Sequence, residues 1–266
     1  MKKILLLMVL FIAVAACSTD TLDSSRKLTE QRIIGAKLTP PLPAVGETLH
    51  VDLALYTGVN PSDSLSVSWN INNLSTVGSG SLALDLSSAA VKTLLTASEQ
   101  KELNSKGKVR LMLTAALGDS YSEEGRVTRI EIPFTLTDKV QSDREENPVI
   151  TSVVCDGFTP DNKQGEITHY TIPLDTKKVE FTAEIEMAED DSDPRALFLD
   201  WNVGWDKEEK TFPSFERIAN KITLYPADDA SLFSGGNVTL FTLVRTLPTY
   251  SQPILFEFEE IHITFK

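Results

Sequence analysis

Apolar and polar residues alternate along several short stretches of the chain, which is the pattern of strands with one buried face. Alternating runs occupy residues 51–55 and 179–185, and longer β-rich runs follow a glycine at 108–117 and 237–247. Clusters of Gly, Pro, Asn and Asp separate these runs, as is typical of turns between antiparallel strands. The pattern predicts an all-β protein built from antiparallel sheets.

The same order of elements occurs twice along the chain. In each half a turn-rich loop leads into an alternating strand that ends in Trp-Asn, at 65–71 and at 197–203. A valine of the next long run follows 40 residues after Trp69 and 37 residues after Trp201. A Trp on the third strand that packs across the core is typical of the immunoglobulin-like plan. The repeat therefore predicts two tandem immunoglobulin-like antiparallel β-sandwich domains.

A final strand is predicted to close each half, over 127–134 and over 254–265. The best helical candidate is 89–103, where apolar residues have i, i+3, i+4 spacing from Val91. We interpret this segment as a strand edge with one or two helical turns that cross between the sheets.

Two polar stretches divide the chain into segments. Residues 17–31 lack periodicity and predict a flexible tether, and residues 141–147 predict a linker between domains. The first sandwich domain is therefore expected over 32–140 and the second over 148–266.

The first 16 residues have the features of an export signal. Lys2 and Lys3 precede an apolar run over 4–14, which is too short to span a membrane. Small residues and Cys17 follow, and this arrangement resembles the lipobox of bacterial lipoproteins. The resemblance implies cleavage before Cys17 and a covalent lipid on it, with fatty acids such as palmitate as a stable anchor. The alternative is a plain secretory signal that is cut near a cysteine.

Residue 18 is Ser and not Asp. An Asp directly after the lipidated Cys resembles an inner-membrane retention signal, so its absence favours the outer membrane. The other cysteine, Cys155, lies in a predicted strand and is expected to be a small buried side chain rather than a nucleophile.

The start of the first domain, 32–48, combines an apolar strand, a Pro-rich kink and Gly46-Glu47-Thr48. This stretch, together with the later Ser68-Trp69, resembles immunoglobulin-like lipoproteins of myxobacteria and their relatives. The resemblance covers 32–72 and, more loosely, 147–157. It implies an exported lipoprotein and carries over no catalytic residue.

The prolines of this stretch also have a direct physical interpretation. Pro40, Pro41 and Pro43 hold the chain extended, so that the first strand can move from one sheet to the other. Gly46 is expected to allow the turn into the second strand, and Glu47 is expected to be exposed at its start.

Charge limits the classes of partner. The chain has 38 acidic and 25 basic residues, a formal net charge of −13. This balance argues against nucleic acid and against electrostatic docking onto anionic lipid. The acidity is concentrated in 148–266, which has 21 acidic and 10 basic residues, whereas 37–140 has 11 and 9.

Common catalytic and nucleotide-binding motifs are absent from the sequence, including Gly-x-Ser-x-Gly, His-Glu-x-x-His, Cys-x-x-Cys and the Walker loop. The three histidines, His50, His169 and His262, lie on separate predicted elements, and we interpret them as ordinary strand residues. The sequence therefore predicts a protein that is not an enzyme and has no cofactor apart from the lipid.

Two loops of the second domain, the first over 189–193 and the second over 205–215, are candidate binding sites. Four acidic residues of the first loop are weak calcium candidates: Glu189, Asp190, Asp191 and Asp193. The alternative is a solvated loop, because the spacing lacks the Asp-x-Asp-x-Asp-Gly pattern.

Aromatic residues flank a charged tip in the second loop, and a further tyrosine lies in the last hairpin loop. These recognition-loop candidates are Trp205, Phe212, Phe215 and Tyr250. The alternative is that the three aromatics of the second loop turn inward and cap the end of the sandwich.

These features together predict a non-enzymatic, membrane-anchored lipoprotein with a structural or protein-binding role in the bacterial cell envelope. Its partners would be the membrane, through the lipid anchor, and an envelope protein or a glycan. A carbohydrate-binding or adhesin-type surface module is an alternative of the same kind. A metal-dependent or glycoside-cleaving hydrolase is the alternative from another class, and it requires carboxylates or histidines that converge in one pocket.

Overall fold

The alternating runs of the sequence form strands in a computed structural model that describes seven stretches of the chain. The described residues are 31–57, 66–117, 129–164, 167–186, 197–206, 214–246 and 253–266. Every sheet is built from residues of one half only, and nearly all strand pairs are antiparallel. The predicted class, an all-β protein with two tandem immunoglobulin-like sandwiches, is confirmed. The signal peptide and the tether up to residue 30 lie outside the described residues.

The N-terminal sandwich has seven strands and two helices in its described part. Their bounds are β1 (Arg32–Thr39), β2 (Thr48–Tyr56), β3 (Val67–Ile71), β4 (Leu74–Gly78), β5 (Ser81–Asp85), α1 (Ser88–Leu94), α2 (Ala97–Lys106), β6 (Lys108–Leu117) and β7 (Arg129–Thr137). One sheet has the order β1-β2-β5 and the other has the order β4-β3-β6-β7.

The C-terminal sandwich has nine strands and one short helix in its described part. Their bounds are β8 (Val149–Cys155), β9 (Asn162–Gln164), β10 (Ile167–Ile172), β11 (Val179–Glu186), β12 (Leu197–Trp205), β13 (Phe215–Ile218), β14 (Lys221–Leu224), α3 (Ala230–Phe233), β15 (Asn237–Thr246) and β16 (Phe256–Phe265). The sheets have the orders β13-β14-β11-β8 and β12-β15-β16-β10-β9. Strands β10 and β16 are parallel neighbours, and the other described pairs are antiparallel.

Each sandwich has its own apolar core. The Trp of the third-strand pattern is buried in both, with 2% of Trp69 and 1% of Trp201 exposed. The alternation of the strands explains this burial, because every second residue faces the opposite sheet. The prediction that a Trp packs inside each sandwich is therefore confirmed.

The Pro-rich segment after β1 moves the chain from one sheet to the other, as predicted. Beyond the cis Thr39–Pro40 bond, Ala44 forms a parallel bridge with Thr137 of β7, in the second sheet. The Val45 N–H donates to the Thr137 carbonyl at 2.9 Å. Gly46 has φ of 97°, a conformation that glycine adopts without the strain of a Cβ.

The segment predicted to combine a strand edge with helical turns is helical on both sides of a break at Leu95 and joins a strand of one sheet to a strand of the other. The helical turns that cross between the sheets are therefore confirmed, whereas the strand edge is wrong. Ser87 accepts a hydrogen bond from the Ala90 N–H and begins α1. Thr96 and Glu99 form a reciprocal capping box that begins α2. The two N-terminal caps therefore favour helix over strand, despite the β-branched residues nearby. Buried Val91 is part of the N-terminal core.

Candidate functional site

A third apolar cluster lies between the two sandwiches, apart from both cores. We call it the junction cluster, and its buried members are Ala54, Tyr56, Phe241, Leu243 and Phe256. Two partly buried side chains, Ile34 and Phe258, pack against it. Because the cluster draws on β1 and β2 of one sandwich and on β15 and β16 of the other, one sheet of each sandwich has an outer face that is partly covered.

Two glycines allow the sheets to approach at the junction. A Cβ added at Gly35 would overlap the ring of Phe256, and a Cβ added at Gly204 would overlap the ring of Tyr56. The arrangement is reciprocal, because each sandwich supplies one glycine and one aromatic ring. Aromatic rings in well-packed sites cannot move aside cheaply, so both contacts fix how the sandwiches are oriented.

An irregularity in β1 directs an additional side chain into the junction. The pairing of β1 with β2 shifts between Ile33 and Gly35, so that Ile34 is the extra residue of a β-bulge. Ile33 packs against the N-terminal core, whereas Ile34 packs against the junction cluster. The bulge therefore lets neighbouring residues of one strand serve two clusters.

Polar contacts surround the junction cluster. The Arg32 guanidinium donates to Asn202 Oδ1 and to the Val203 carbonyl oxygen, both at 2.6 Å. The same group lies 4.8 Å from the centre of the Tyr56 ring. Lys37 Nζ lies 2.6 Å from Glu257 Oε2, with both side chains mostly shielded from solvent. These contacts orient the two sheets more specifically than apolar packing alone.

The segment between the sandwiches contacts both of them through the side chain of Asn147. Asn147 Nδ2 donates to the Leu38 carbonyl at 2.7 Å, and the Phe256 N–H donates to Asn147 Oδ1 at 3.2 Å. One side-chain amide thus bridges β1 and β16.

Glu47 is not an exposed residue, which corrects the expectation drawn from its place after Gly46. Its carboxylate accepts from Arg144 Nη1 at 2.8 Å and from the Ala44 N–H at 2.8 Å. Burial alone would raise the pKa of Glu47, but the hydrogen bonds from Arg144 and Ala44 outweigh this effect and lower the pKa. The ion pair fastens the segment between the sandwiches to the N-terminal sandwich.

Two of the three histidines lie side by side, although the sequence suggested that all three are scattered. His169 and His262 are register partners in the parallel pair of β10 and β16, and their ring centres are 5.1 Å apart. His262 Nε2 lies 2.5 Å from Glu260 Oε1. His50 is on β2, in the other sandwich. The pairing of distant strands brings the two histidines together, and no local pattern reveals it.

The histidine pair lies beside the junction. A row of register partners crosses the sheet from His169 to His262, then to Thr239 and to Gly204, which receives the Tyr56 ring. In the described stretches, no three His, Cys, Asp or Glu side chains are grouped as a metal ion would require.

Trp205 is fully buried, so its assignment as a recognition residue is wrong. It shares the core-facing side of β12 with Trp201 and Val203, and its ring packs edge-on against Phe233 at 5.5 Å. Phe215 is partly buried against the same core. The inward orientation, which was the alternative for this loop, therefore describes both residues.

Several predicted site residues lie outside the described residues. These are the lipidation candidate Cys17, the calcium candidates Glu189, Asp190, Asp191 and Asp193, and the recognition candidates Phe212 and Tyr250.

Two titratable groups are buried and are poorly suited to acid–base or nucleophilic chemistry. Burial raises the pKa of the Cys155 thiol to about 12, and a thiol is nucleophilic only when ionised. Burial also raises the pKa of Tyr56 well above its ordinary value. Both groups therefore stay neutral at physiological pH, and Cys155 is a small core residue, as its strand position predicts.

The junction was missed by reasoning from the sequence, although β15 carries a signal for it. Residues 240–244 of this strand are consecutively buried, which is the pattern of a strand covered on both faces. Leu240 joins the C-terminal core, whereas Phe241 and Leu243 join the junction cluster. A run that is apolar except for Thr242, in an otherwise alternating antiparallel sheet, could have indicated a second contact.

No protein-family model matches the chain, and no curated protein sequence matches it. Solved structures with a similar arrangement include three N-terminal domains of the bacteriophage RB49 Highly Immunogenic Outer Capsid protein, at 12% identity and a TM-score of 0.26, covering 89% of this chain and 71% of that one. The mouse nectin-like molecule 4 ectodomain is 6% identical with a TM-score of 0.26, over 87% of this chain and 64% of the other.

The fibronectin(III)-like modules of Clostridium thermocellum CbhA are 10% identical with a TM-score of 0.23, over 87% of this chain and 94% of that one. Likenesses this remote carry no argument about function. Within the described stretches, no helix has both the length and the apolar character needed to cross a membrane.

Proposed function

We propose that the chain is a non-enzymatic lipoprotein, anchored by a lipid on Cys17, whose two sandwiches act as one rigid spacer or protein-binding unit in the bacterial cell envelope. The outer membrane is the proposed site, because Ser18 rather than Asp follows Cys17. The resemblance of residues 32–72 to exported immunoglobulin-like lipoproteins supports the same assignment.

The junction carries the rigid part of this proposal. Two independent sandwiches on a flexible linker would need no reciprocal glycine–aromatic contacts between them. Here Gly35 and Gly204 each receive a ring from the other sandwich, and Asn147 holds both β1 and β16. A spacer or a binding unit benefits from such contacts, because a fixed orientation lowers the entropy lost on binding.

The composition of the described surface favours protein over glycan as a partner. Carbohydrate-binding surfaces commonly stack sugars on aromatic rings, whereas Phe198 is the only exposed Phe, Trp or Tyr among the described residues. The hydrolase alternative draws no support from the described part of the chain, where no three His, Cys, Asp or Glu side chains are grouped as a metal ion would require.

Metabolic labelling with a palmitate analogue tests the anchor. We expect Cys17→Ser to lose the label and to move the protein from the membrane fraction to the soluble fraction. Cys155→Ala is the matched control, because the chain has only these two cysteines and Cys155 is buried.

The labelled band should persist in the Cys155→Ala control and vanish only in Cys17→Ser. Unchanged labelling and fractionation of Cys17→Ser would refute the lipoprotein assignment. Separation of inner and outer membranes on a density gradient would then place the labelled protein, and recovery in the inner membrane would contradict the proposed location.

A further inference from the structure

One stretch of the N-terminal sandwich lacks charged residues. Residues 64–84 form the longest stretch of the sequence without Asp, Glu, Lys, Arg or His, in a chain where 24% of residues are charged. The described part of this stretch includes β3, β4 and most of β5. Strand β4 ends its sheet and pairs only with β3 along the described chain.

Strand β4 is also the most exposed strand of this sandwich. Four of its five residues are exposed, and 69% of Val77 and 39% of Leu74 are accessible to solvent. Its pairing with β3 is regular over all five residues, so that no bulge interrupts the edge. Backbone groups on the outer side of such a strand can pair with another strand.

Other strands that end a sheet in the described chain carry features that block pairing. Strand β7 contains Pro133 and two charged residues, β13 contains Glu216 and Arg217, and β9 contains Lys163. The remaining sheet ends, β1, β5 and β12, also contain charged residues, namely Arg32 and Lys37, Asp85, and Asp200. Strand β8 also lacks charge, but its pairing with β11 shifts next to Thr151. Charged side chains, prolines and bulges are the devices by which edge strands avoid association, and β4 has none of them.

We infer that β4 is an interaction edge at which a second copy of this chain adds its own β4 in antiparallel orientation. Such pairing is self-complementary about a two-fold axis, as expected of a closed homodimer. It would join two four-stranded sheets into one continuous sheet of eight strands. The inference goes beyond the proposed function and does not depend on the lipid anchor.

Charge favours a second copy at this edge over other regions of the surface. Two chains of net charge −13 repel each other, and the repulsion is strongest between the C-terminal sandwiches, where 21 acidic residues oppose 10 basic ones. Contact through the uncharged β4 edge brings together the N-terminal sandwiches, with 11 acidic and 9 basic residues over 37–140. Added salt should therefore strengthen the association, whereas a partner attracted by charge would be released by salt.

Photo-cross-linking in the full-length chain tests this edge directly. Val77 is replaced by p-benzoylphenylalanine, and two copies with different epitope tags are co-expressed. Ile218, on the charged edge strand β13, is the matched control position, because it is 69% exposed, as Val77 is. We expect a product of twice the chain mass that carries both tags from position 77 and not from position 218.

A variant with a charged residue on β4 is the second part of the test. Adding Thr76→Lys to the Val77 cross-linking variant should reduce the doubly tagged product about tenfold, because like charges then face each other across the strand pair. Ile218→Lys in the same background should leave the product unchanged. Thr76 is exposed, so an unchanged thermal transition verifies that the Thr76→Lys chain is folded.

A product from position 77 that contains a different protein, or no more doubly tagged product from position 77 than from position 218, would overturn the inference. A product that persists in Thr76→Lys would also contradict it. None of these results bears on palmitate labelling, so failure here is distinguishable from failure of the proposed function.

Discussion

The two sandwiches share a core plan and differ in where one hairpin lies. In the N-terminal sandwich, the two-residue turn Asn72-Asn73 joins β3 to β4, so the fourth strand pairs with the third. In the C-terminal sandwich, the two-residue turn Ala219-Asn220 joins β13 to β14, so the strand after β12 lies in the opposite sheet. The Trp-Asn strand is common to both halves. The position of the turn therefore decides the sheet to which the strand after it belongs.

The difference shows how one sequence signature supports two topologies. Tight two-residue hairpins require positive φ, and Asn72 has φ of 45° while Ala219 has φ of 53°. Asn tolerates this conformation, whereas alanine is strained in it. Because a short hairpin holds its two strands together, the chain before or after it must supply the crossing to the other sheet.

The largest expected effect concerns the feature that the sandwiches share. Trp69→Ala and Trp201→Ala each remove a fully buried aromatic ring, which costs about 3–5 kcal/mol. If the junction couples the sandwiches, either substitution should lower the temperature of one common unfolding transition, by roughly 10 °C for a chain of this size. Differential scanning calorimetry measures this.

Two separate transitions in the unsubstituted chain, with each substitution moving only one of them, would contradict the coupling. Trp69→Phe and Trp201→Phe are the conservative controls, and they should cause smaller shifts in the same direction.

The second comparison is between the two glycine–aromatic contacts of the junction. Gly35→Ala and Gly204→Ala each force a methyl group against a ring, and overpacking of this kind costs about 1–3 kcal/mol. Each substitution should also separate the unfolding transitions of the sandwiches, because it weakens the junction and leaves both cores intact. Calorimetry again reports both effects.

A double substitution identifies the cause of that loss. Tyr56→Leu combined with Gly204→Ala should cost less than the sum of the two single substitutions, because the smaller side chain leaves room for the methyl group. Strictly additive costs would show that Gly204 and Tyr56 do not constrain each other.

The smallest expected effect concerns the two hairpins. Ala219→Gly removes the strain of a positive φ and should stabilise the chain by about 0.5–1 kcal/mol. Asn72→Gly should instead destabilise it, because Asn72 Nδ2 donates to the Leu94 carbonyl at 3.1 Å and to Glu99 Oε2 at 2.9 Å. Chemical denaturation measures the change in the free energy of unfolding that each substitution causes. Changes of the same sign would mean that backbone strain does not distinguish the turns.

Local patterns predict the strands well, because the two-residue period depends only on neighbours along the chain. The strands around Trp69 and Trp201, and the crossing of the chain after Pro40, follow from such patterns. The two helices over 88–106 are longer than the one or two helical turns predicted, because caps at Ser87 and Thr96 each begin a helix.

Contacts between distant segments could not be predicted in this way. The adjacency of His169 and His262 depends on the parallel pairing of β10 with β16, and the ion pair of Glu47 depends on Arg144 in the segment that follows β7. Trp205 looked like a loop residue because β12 was expected to end near Val203, whereas the strand continues to Trp205 and keeps the ring inside. Each of these outcomes was decided by a partner far away in the sequence.

The contact between β1 and β16 has a consequence for folding during synthesis. These are the first and the last strands of the described chain, and they meet through Gly35 and Phe256 and through Lys37 and Glu257. The N-terminal sandwich can form its own core early, but its apolar patch at Ala54 and Tyr56 is fully covered only when β12, β15 and β16 have all emerged. A chain interrupted before β16 would therefore expose an apolar surface that the full-length chain buries.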